Sequence, residues 1–382
     1  MKNVQWKKMK LGDCCSSELG KTLDEGRNTG KYRPYLCALN VLWGKIDTTT
    51  IKQMRIEDEE LNRYLVKKGD LLVCEGGEIG RCAIWDSEDE IYYQNALHRV
   101  RFYDGYDSYF FMYLLCYYND LNLIDKFGKG LTIKHLNQTS FRNIPVSVPS
   151  LPAQRRIAAI LSTADKVIEQ TRQLIGKYKS IKQGMMEDLL KPKEGWKKVK
   201  LGEVGDIVTG STPTTTKLEY WDGEYNFYSP ADFDDNVYCA KTDRTITTAG
   251  LKTGRQIPAN SIMVACIASI GKIAINRTTG ITNQQINTII PYEGYNFMFL
   301  YYLLLYNVKK IKSKAAQTTI PIINKDDFSN LEFRVPDLPE QRRIAKILSG
   351  IDRKIEAEEK VLEKYEKMKK GLMEKLLGEK HK

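Results

Sequence analysis

LPAQRRIAAIL at residues 151–161 and LPEQRRIAKIL at residues 338–348 state nearly the same eleven residues twice, 187 positions apart. Setting 151–190 against 338–377 needs no gap, and 21 of the 40 positions are identical. The two segments share Asp165 and Asp352, and both close on Gly-x-Met-Glu-x-Leu-Leu, GMMEDLL at 184–190 and GLMEKLL at 371–377. Leu-Pro followed by a long run free of Pro reads as a helix start, with Pro152 and Pro339 in the first turn. Apolar residues then recur in alternating steps of four and three. In the first copy they are Ile157, Leu161, Ala164, Ile168, Ile175, Tyr178, Met185 and Leu189, with Thr171 and Lys182 at polar breaks. In the second they are Ile344, Leu348, Ile351, Ile355, Leu362, Tyr365, Leu372 and Leu376, with Glu358 and Lys369 at the breaks. A period of 3.5 residues held over about five heptads predicts a coiled-coil seam in a helix roughly 58 Å long.

The duplication extends upstream. WKKMKLGD at 6–13 answers WKKVKLGE at 196–203, GEIGRCAIW at 77–85 answers ASIGKIAIN at 268–276, YQN at 93–95 answers NQQ at 283–285, and LTIKHLNQTSF at 131–141 answers TTIPIINKDDF at 318–328. The order is block, helix, block, helix, with boundaries at 1–150, 151–190, 191–337 and 338–382. Two copies are too few for a solenoid; two similar units in one chain predict a pseudo-twofold pair. Each amphipathic helix needs an apolar partner, and the other copy supplies one. The antiparallel pairing puts one block at each end of the rod. The expected fold is therefore α+β: two similar mixed α/β blocks separated by two long antiparallel helices that form an intramolecular coiled coil.

The blocks read as sheets with a few helices. YLVKKGDLLVCEGGEIGRCAIW at 64–85 and RQIPANSIMVACIASIGKIAI at 255–275 contain short apolar, β-branched runs around turn residues. DSYFFMYLLCYYNDL at 107–121 and NFMFLYYLLLYNVKKI at 296–311 read as buried helices. KTLDEGRNTGKYRPYLCALNVLW at 21–43 barely resembles GSTPTTTKLEYWDGEYNFYSP at 210–230. Similar helices with divergent blocks suit a rod whose two ends read different things.

Composition sets limits. The 382 residues are 42% hydrophobic and 28% charged, values of an ordinary globular protein. The net charge of +11 is distributed as +1 over 1–150, +4 over 151–195, +2 over 196–337 and +4 over 338–382. The excess sits on the repeated helices, and it supports nucleic-acid binding only weakly, since a basic helix face is commonly solvated surface. No leader-like stretch opens the chain, and FFMYLLCYY at 110–118 is too short to span a bilayer. Cys14, Cys15, Cys37, Cys74, Cys82, Cys116, Cys239 and Cys266 form no CxxC pair, so a reduced, cytoplasmic setting is expected.

Catalytic signatures are missing. CEGGEIG at 74–80 lacks the Lys-Ser/Thr of a phosphate loop, and its counterpart CIASIG at 266–271 has lost the glycine pair, so both read as turns. No GxGxxG opens a helix, and no Asp/Asn-Pro-Pro-Tyr of the amino-methyltransferase kind is present. His98, His135 and His381 are not spaced for ligation, so no metal is expected. Cys14 and Cys15 read as a packed pair. Any catalysis belongs to a partner.

Two blocks, each followed by a helix opening LPxQRRIAxIL and closing near GLMxxLL, resemble the specificity (S) subunit of type I restriction–modification systems over essentially the whole chain. GSTPTTTKLEYWDGE at 210–224 and ITNQQIN at 281–287 are similar to stretches of that family's target-recognition domains. The resemblance implies that each domain reads one half of a bipartite DNA target through the major groove. It implies that the coiled coil sets the spacer and docks two modification (methyltransferase) subunits, which would bind S-adenosylmethionine and methylate adenine. A restriction subunit can join such a complex, and the sequence leaves its presence here open. The chain itself would be non-catalytic, with no cofactor of its own.

Base edges are read by Arg, Lys, Asn, Gln, Ser or Thr, which supply matching donors and acceptors. The candidates are Gln94, Asn95, Lys129, Thr132, Lys134 and His135 in the first block, and Ser211, Thr212, Asn283, Gln284, Gln285, Gln317, Thr318 and Lys325 in the second. A turn-stabilising or solvated role is the alternative for each. Arg155, Arg156, Arg342 and Arg343 stand at both block–helix junctions, placed to meet carboxylates, DNA phosphates or only solvent. The competing function is a free-standing, two-armed, sequence-specific DNA-binding regulator. It differs in having no methyltransferase partner.

Overall fold

A computed structural model describes residues 5–24, 26–130, 134–315 and 321–378. The chain forms two compact units, Met1–Thr171 with Val361–Lys382, and Arg172–Lys360.

In the first unit, Lys7–Lys10 pairs antiparallel with Pro145–Val148. An antiparallel sheet runs in the order Cys15–Leu19, Leu97–Phe102, Leu71–Cys74, Cys82–Ile84. A second sheet runs Lys52–Ile56, Lys31–Leu36, Ile91–Tyr93, Leu65–Val66, with one parallel pair between Lys31–Leu36 and Ile91–Tyr93. Side chains of a strand alternate between faces, and LLVC at 71–74 is buried on both. Leu71 and Val73 enter the core around helix Ser108–Asp120, while Leu72 and Cys74 enter the core shared with the second sheet. The unbroken apolar run follows from this double burial. Arg99, 5% exposed, spans the sheets, donating to the carbonyls of Arg63 and Leu65 at 2.7 Å each and to Glu18 at 2.6 Å.

The second unit repeats the plan. Lys197–Lys200 pairs with Glu332–Val335. Five strands run Gly205–Thr209, Ile286–Pro291, Ile262–Ala265, Ile273–Asn276, Tyr238–Cys239, and four run Arg244–Ile246, Trp221–Tyr228, Gly280–Thr282, Gln256–Ile257. Of its two parallel pairs, Trp221–Tyr228 with Gly280–Thr282 corresponds to the one in the first unit, and Tyr238–Cys239 with Ile273–Asn276 is additional. Ile262 and Val264 face the core around helix Phe297–Tyr306, and Met263 faces the opposite core. The expectation of two mixed α/β domains holds.

The repeated segments are continuous α-helices, Leu151–Leu190 and Leu338–Leu377; we call them the central and C-terminal helices. In the first unit, Ile157, Ala158 and Leu161 share a core with Met373, Leu376 and Leu377 and with the apolar helix Ser108–Asp120. In the second, Met186 and Leu190 share a core with Ile344, Ala345, Leu348 and helix Phe297–Tyr306. Within each unit, rising residue numbers on one helix meet falling numbers on the other, so the packing is antiparallel: Lys179 meets Glu359 at 2.9 Å and Lys182 meets Asp352 at 2.7 Å.

Of the seam candidates, Ile157, Leu161, Ile168, Ile175, Ile344, Leu348, Ile351, Ile355 and Leu376 are buried. Tyr178, Met185, Leu189, Leu362, Tyr365 and Leu372 are half-buried. Toward the helix ends Met186, Leu190, Met373 and Leu377 go deeper than their neighbours, because there each helix meets a globular core as well as the other helix. A fully buried leucine such as Leu161 or Leu348 contributes on the order of 1.5–3 kcal/mol. Arg155, Arg156 and Arg342 are exposed, and Arg343 is bound to Glu340 one turn away at 2.6 and 2.7 Å.

The fourth residue of the repeated motif joins helix to block. Gln154, 1% exposed, accepts from the amide of Asp107 at 2.9 Å and donates to the carbonyls of Pro149 (2.9 Å) and Gly105 (3.3 Å). Gln341, also 1% exposed, accepts from the amide of Asn296 and donates to the carbonyl of Pro336, both at 2.9 Å. Asp107 and Asn296 are themselves the N-caps of the two apolar helices, accepting from Phe110 and Phe299. Gln341→Ala leaves an amide and a carbonyl unpartnered in the interior, at about 1–3 kcal/mol per group. Hydrogen exchange at Asn296 and the first turn of Phe297–Tyr306 should accelerate about tenfold or more, while helix Ser108–Asp120 keeps its protection. Unchanged exchange at Asn296 would remove Gln341 from this role.

Candidate nucleic-acid interface

Among the described residues the candidates other than Lys325 fall on loops or strand ends. In the first unit, Gly20 donates to Leu97 O (3.1 Å), Lys21 to Tyr93 O (3.0 Å), Gln94 to Leu36 O (3.1 Å) and Leu97 to Gln94 O (3.0 Å). In the second, Gly210 donates to Ile286 O (3.0 Å), Ser211 to Thr282 O (2.8 Å), Asn283 to Tyr228 O (2.9 Å) and Ile286 to Asn283 O (3.2 Å). One backbone network is built twice from dissimilar residues. It sets Gln94 opposite Asn283, correcting by one position the match of YQN with NQQ, because backbone hydrogen bonds and not side-chain identity fix the register. The glycines are required: a Cβ on Gly20 would lie 2.3 Å from Gln94 O, and one on Gly210 1.9 Å from Asn283 O.

Side chains brace the same loops. Asn95 reaches Thr22 at 3.5 Å, and Thr212 donates to Gln284 Oε1 at 2.6 Å. Ser211 Oγ accepts from the Arg255 amide at 3.0 Å. Asn283 and Gln285 bind one another, the Gln285 amide donating to Asn283 Oδ1 at 3.0 Å and Asn283 Nδ2 to Gln285 Oε1 at 3.1 Å. Ser211, Thr212, Asn283, Gln284 and Gln285 are thus brought together, with Gln284 exposed. In the first unit Asn95 is exposed and Gln94 half-buried. Lys21 beside them is consumed internally, bound to Glu57 at 2.6 Å and to Glu60, and its ammonium holds the Glu57 carboxyl well below the usual range.

A second loop is pinned at its base by paired backbone bonds between Lys129 and His135 (2.9 and 2.8 Å) and by Leu136 N to Glu75 O at 2.7 Å. Lys129, Lys134 and His135 are exposed, with Lys134 held to Asp125 at 2.9 Å. Thr132 lies outside the described residues, as do Gln317 and Thr318. In the second unit Ile323 N donates to Cys266 O at 2.9 Å, and Lys325 stands exposed at the start of helix Lys325–Ser329.

CEGGEIG and its counterpart are turns against these loops. Gly77 has φ +73° and Gly80 φ +79°; their equivalents are Ala268 at φ +58° and Gly271 at φ +87°. His98 is fully buried, donating from Nε2 to Leu136 O at 2.7 Å and stacked on Phe141, and burial lowers its pKa. Cys14 and Cys15 are buried, which pushes their thiols up to about 11 and about 12 and leaves neither as a thiolate at neutral pH. Among the described residues no group of three His, Cys, Asp or Glu side chains is placed to hold a metal ion, and no helix is long and apolar enough to cross a membrane.

Sequence patterns did not reveal the role of Gln154 and Gln341, or of Tyr113 and Tyr302 described below. The only signal for the glutamines was their repetition inside LPxQRR, and the tyrosines were hidden within apolar runs.

A family model described as the type I restriction modification DNA specificity domain matches residues 3–177 and, a second time, 193–367. A chain named for the MjaX type I restriction enzyme of Methanocaldococcus jannaschii, as its specificity subunit, is 25% identical over 364 residues, covering 87% of this chain and 83% of its own length. The MjaIX specificity subunit of the same organism is 31% identical over 187 residues, 47% of this chain and 43% of that one. The S subunit of a type I restriction-modification system from M. genitalium has the same fold, with a TM-score of 0.65 at 18% identity over 99% of this chain and 98% of that one.

Ala268 bears a cost that glycine avoids at the equivalent Gly77, since a left-handed backbone disfavours a Cβ by roughly 1–2 kcal/mol. Part of this is offset by the larger unfolded-state entropy of glycine. Ala268→Gly should raise stability by about 0.5–1 kcal/mol, a rise of about 1–4 °C in the melting midpoint. Differential scanning calorimetry would read it, and a lowered midpoint would refute the strain.

Proposed function

The chain belongs to the type I restriction–modification specificity family, and from that premise we propose that it is the DNA-reading subunit of a complex that methylates a bipartite target. The duplicated architecture carries the proposal. The family's domain occurs twice, the loop network around Gln94 and Asn283 is built twice on one backbone plan, and the residues filling it differ. Shared scaffolds with different exposed side chains suit two domains that read two different half-sites, because scaffold geometry positions and side-chain donors specify.

As a specificity subunit the chain carries no catalytic step. The proposed division assigns residues 1–150 and 191–337 to the two target-recognition domains, and 151–190 and 338–382 to the helices. The helices, equal in length and alike at half their positions, set the spacer and offer two equivalent docking surfaces to two modification subunits, in a pseudo-twofold arrangement. Supporting this, the ion pairs are reciprocal. Lys369 of the second repeat binds Asp165 of the first, and Lys182 of the first binds Asp352 of the second, the pattern of an isologous interface. S-adenosylmethionine binds the modification subunits, restriction subunits complete the nuclease, and the complex acts in the cytoplasm, where the eight free thiols stay reduced. Asn95, Gln284, Lys129, Lys134, His135 and Lys325 are the exposed candidates for DNA contact. Asn283, Gln285 and Ser211 hold the loops that present them.

A genome-wide map of N6-methyladenine in cells with and without this gene tests the proposal. Loss of one motif, two short half-sites around a fixed gap, is expected on deletion. An unchanged map with the modification subunits expressed would favour the free-standing regulator. Replacing residues 1–150 with the first domain of another family member should change one half-site and leave the other intact; a change in both would contradict independent reading.

A further inference from the structure

We propose that two Tyr–Asp–Lys locks, Tyr113–Asp165–Lys369 and Tyr302–Asp352–Lys182, are the positioning residues that determine which spacer length this chain accepts. The inference rests on the reading that the helix pair sets the gap between half-sites.

In each unit three elements meet on one carboxylate. Tyr113, on the apolar helix of the first block, donates to Asp165 Oδ2 at 2.7 Å, and Lys369 from the C-terminal helix binds Asp165 Oδ1 at 2.6 Å. Tyr302, on the apolar helix of the second block, donates to Asp352 Oδ2 at 2.6 Å, and Lys182 from the central helix binds Asp352 Oδ1 at 2.7 Å. The ammonium groups lie 5.7 Å from the Tyr113 ring centroid and 5.6 Å from that of Tyr302. Burial pushes both tyrosine hydroxyls up, so they remain protonated donors.

These contacts hold information that the apolar seam lacks. A heptad seam is close to self-similar under a slip of seven residues, so leucines and isoleucines alone discriminate poorly between registers. Polar partners within a seam do discriminate, because a misplaced one is left buried and unpaired. Asp165 and Lys182 are 17 residues apart, and so are Asp352 and Lys369. One antiparallel register therefore satisfies both locks. A slip of one turn, about 5.4 Å, carries both lysines out of reach. Lys182 and Asp352 are 18% and 16% exposed, so their pairing is little screened, and Lys369 and Asp165, at 27% and 37%, are screened somewhat more. By contrast Lys360–Glu356 and Lys367–Glu363 join residues of one helix, are exposed, and say nothing about register. The tyrosine adds the second function. It ties the block's own helix to the carboxylate that reads the register, so that block orientation and helix register are set at one point.

The experiment maps N6-methyladenine in cells that express the modification subunits with wild-type chain, Lys182→Met/Lys369→Met, Asp165→Asn/Asp352→Asn or Tyr113→Phe/Tyr302→Phe. The lock variants should keep both half-sites while methylation spreads to targets with a longer or shorter gap. Methylation there should rise about tenfold over wild type, the discrimination that a few half-buried hydrogen bonds supply. The charge-reversed variant Asp165→Lys/Lys369→Asp/Asp352→Lys/Lys182→Asp restores the ion pairs but not the tyrosine bonds, so its spread should fall back to that of Tyr113→Phe/Tyr302→Phe and no further. Should the Asp or Lys variants fail to fold, Tyr113→Phe/Tyr302→Phe removes only two hydroxyls and carries the test. A single unchanged gap in a folded, assembled lock variant overturns the proposal. Absence of any bipartite motif in wild type would instead overturn the function on which it rests.

Discussion

Each long helix has an apolar stripe that water will not tolerate, and the rest of the structure is arranged around covering it. In each unit three surfaces do so together: the start of one helix, the end of the other, and an apolar helix of the globular block. Ile157 and Leu161 meet Met373 and Leu377 beneath Ser108–Asp120, and Ile344 and Leu348 meet Met186 and Leu190 beneath Phe297–Tyr306. Hydrophobic burial supplies the bulk of the stabilisation but little direction, being proportional to area. Direction comes from a few polar groups placed inside it. Gln154 and Gln341 fix how each helix leaves its block, and the Asp–Lys pairs fix which residues of the helices face each other.

Buried charge serves the blocks in the same way. Arg99 and Arg101 would be obvious candidates for phosphate contact by charge alone, yet Arg99 is tied to Glu18 and two carbonyls, and Arg101 to both oxygens of Asp70 at 2.8 Å. Breaking such a pair leaves an uncompensated charge in a poorly solvated place, so these arginines belong to the scaffold. The candidate interface is left to loops whose backbones are over-determined by hydrogen bonds and whose tips are polar. That combination allows side chains to change while the presentation stays the same. It accounts for two blocks that share a hydrogen-bond network at Gly20 and Gly210 but little sequence around it.

The organisation was legible in the sequence because it depends on period and repetition. Steps of three and four, a Leu-Pro start and a gapless 40-residue match are statements about one dimension, and a helix obeys them without reference to anything distant. The strands at 71–74 and 262–265 were legible for a related reason, as short apolar runs between turn residues. The interface was visible only as composition. Gln, Asn and Thr near glycines suggested loops that read DNA, but the same residues also stabilise turns. Asn283 and Gln285 bind each other and are half-buried while Gln284 is exposed, a distinction set by contacts that cross the fold.

The sequence by itself determined the duplication, the two helices, their amphipathic faces and the absence of catalytic motifs, since each is written in local spacing and residue type. Tertiary structure alone decided which polar residues are spent on the fold and which remain available. Lys182 and Lys369 stood in the sequence as gaps in an apolar stripe; each closes a half-buried lock with a carboxylate 170 or 204 residues distant and a tyrosine from a third element. No local pattern specifies such a meeting. Hydrogen bonds and ion pairs depend on atoms coming within about 3 Å, and only the folded chain brings residues so far apart in sequence to that distance.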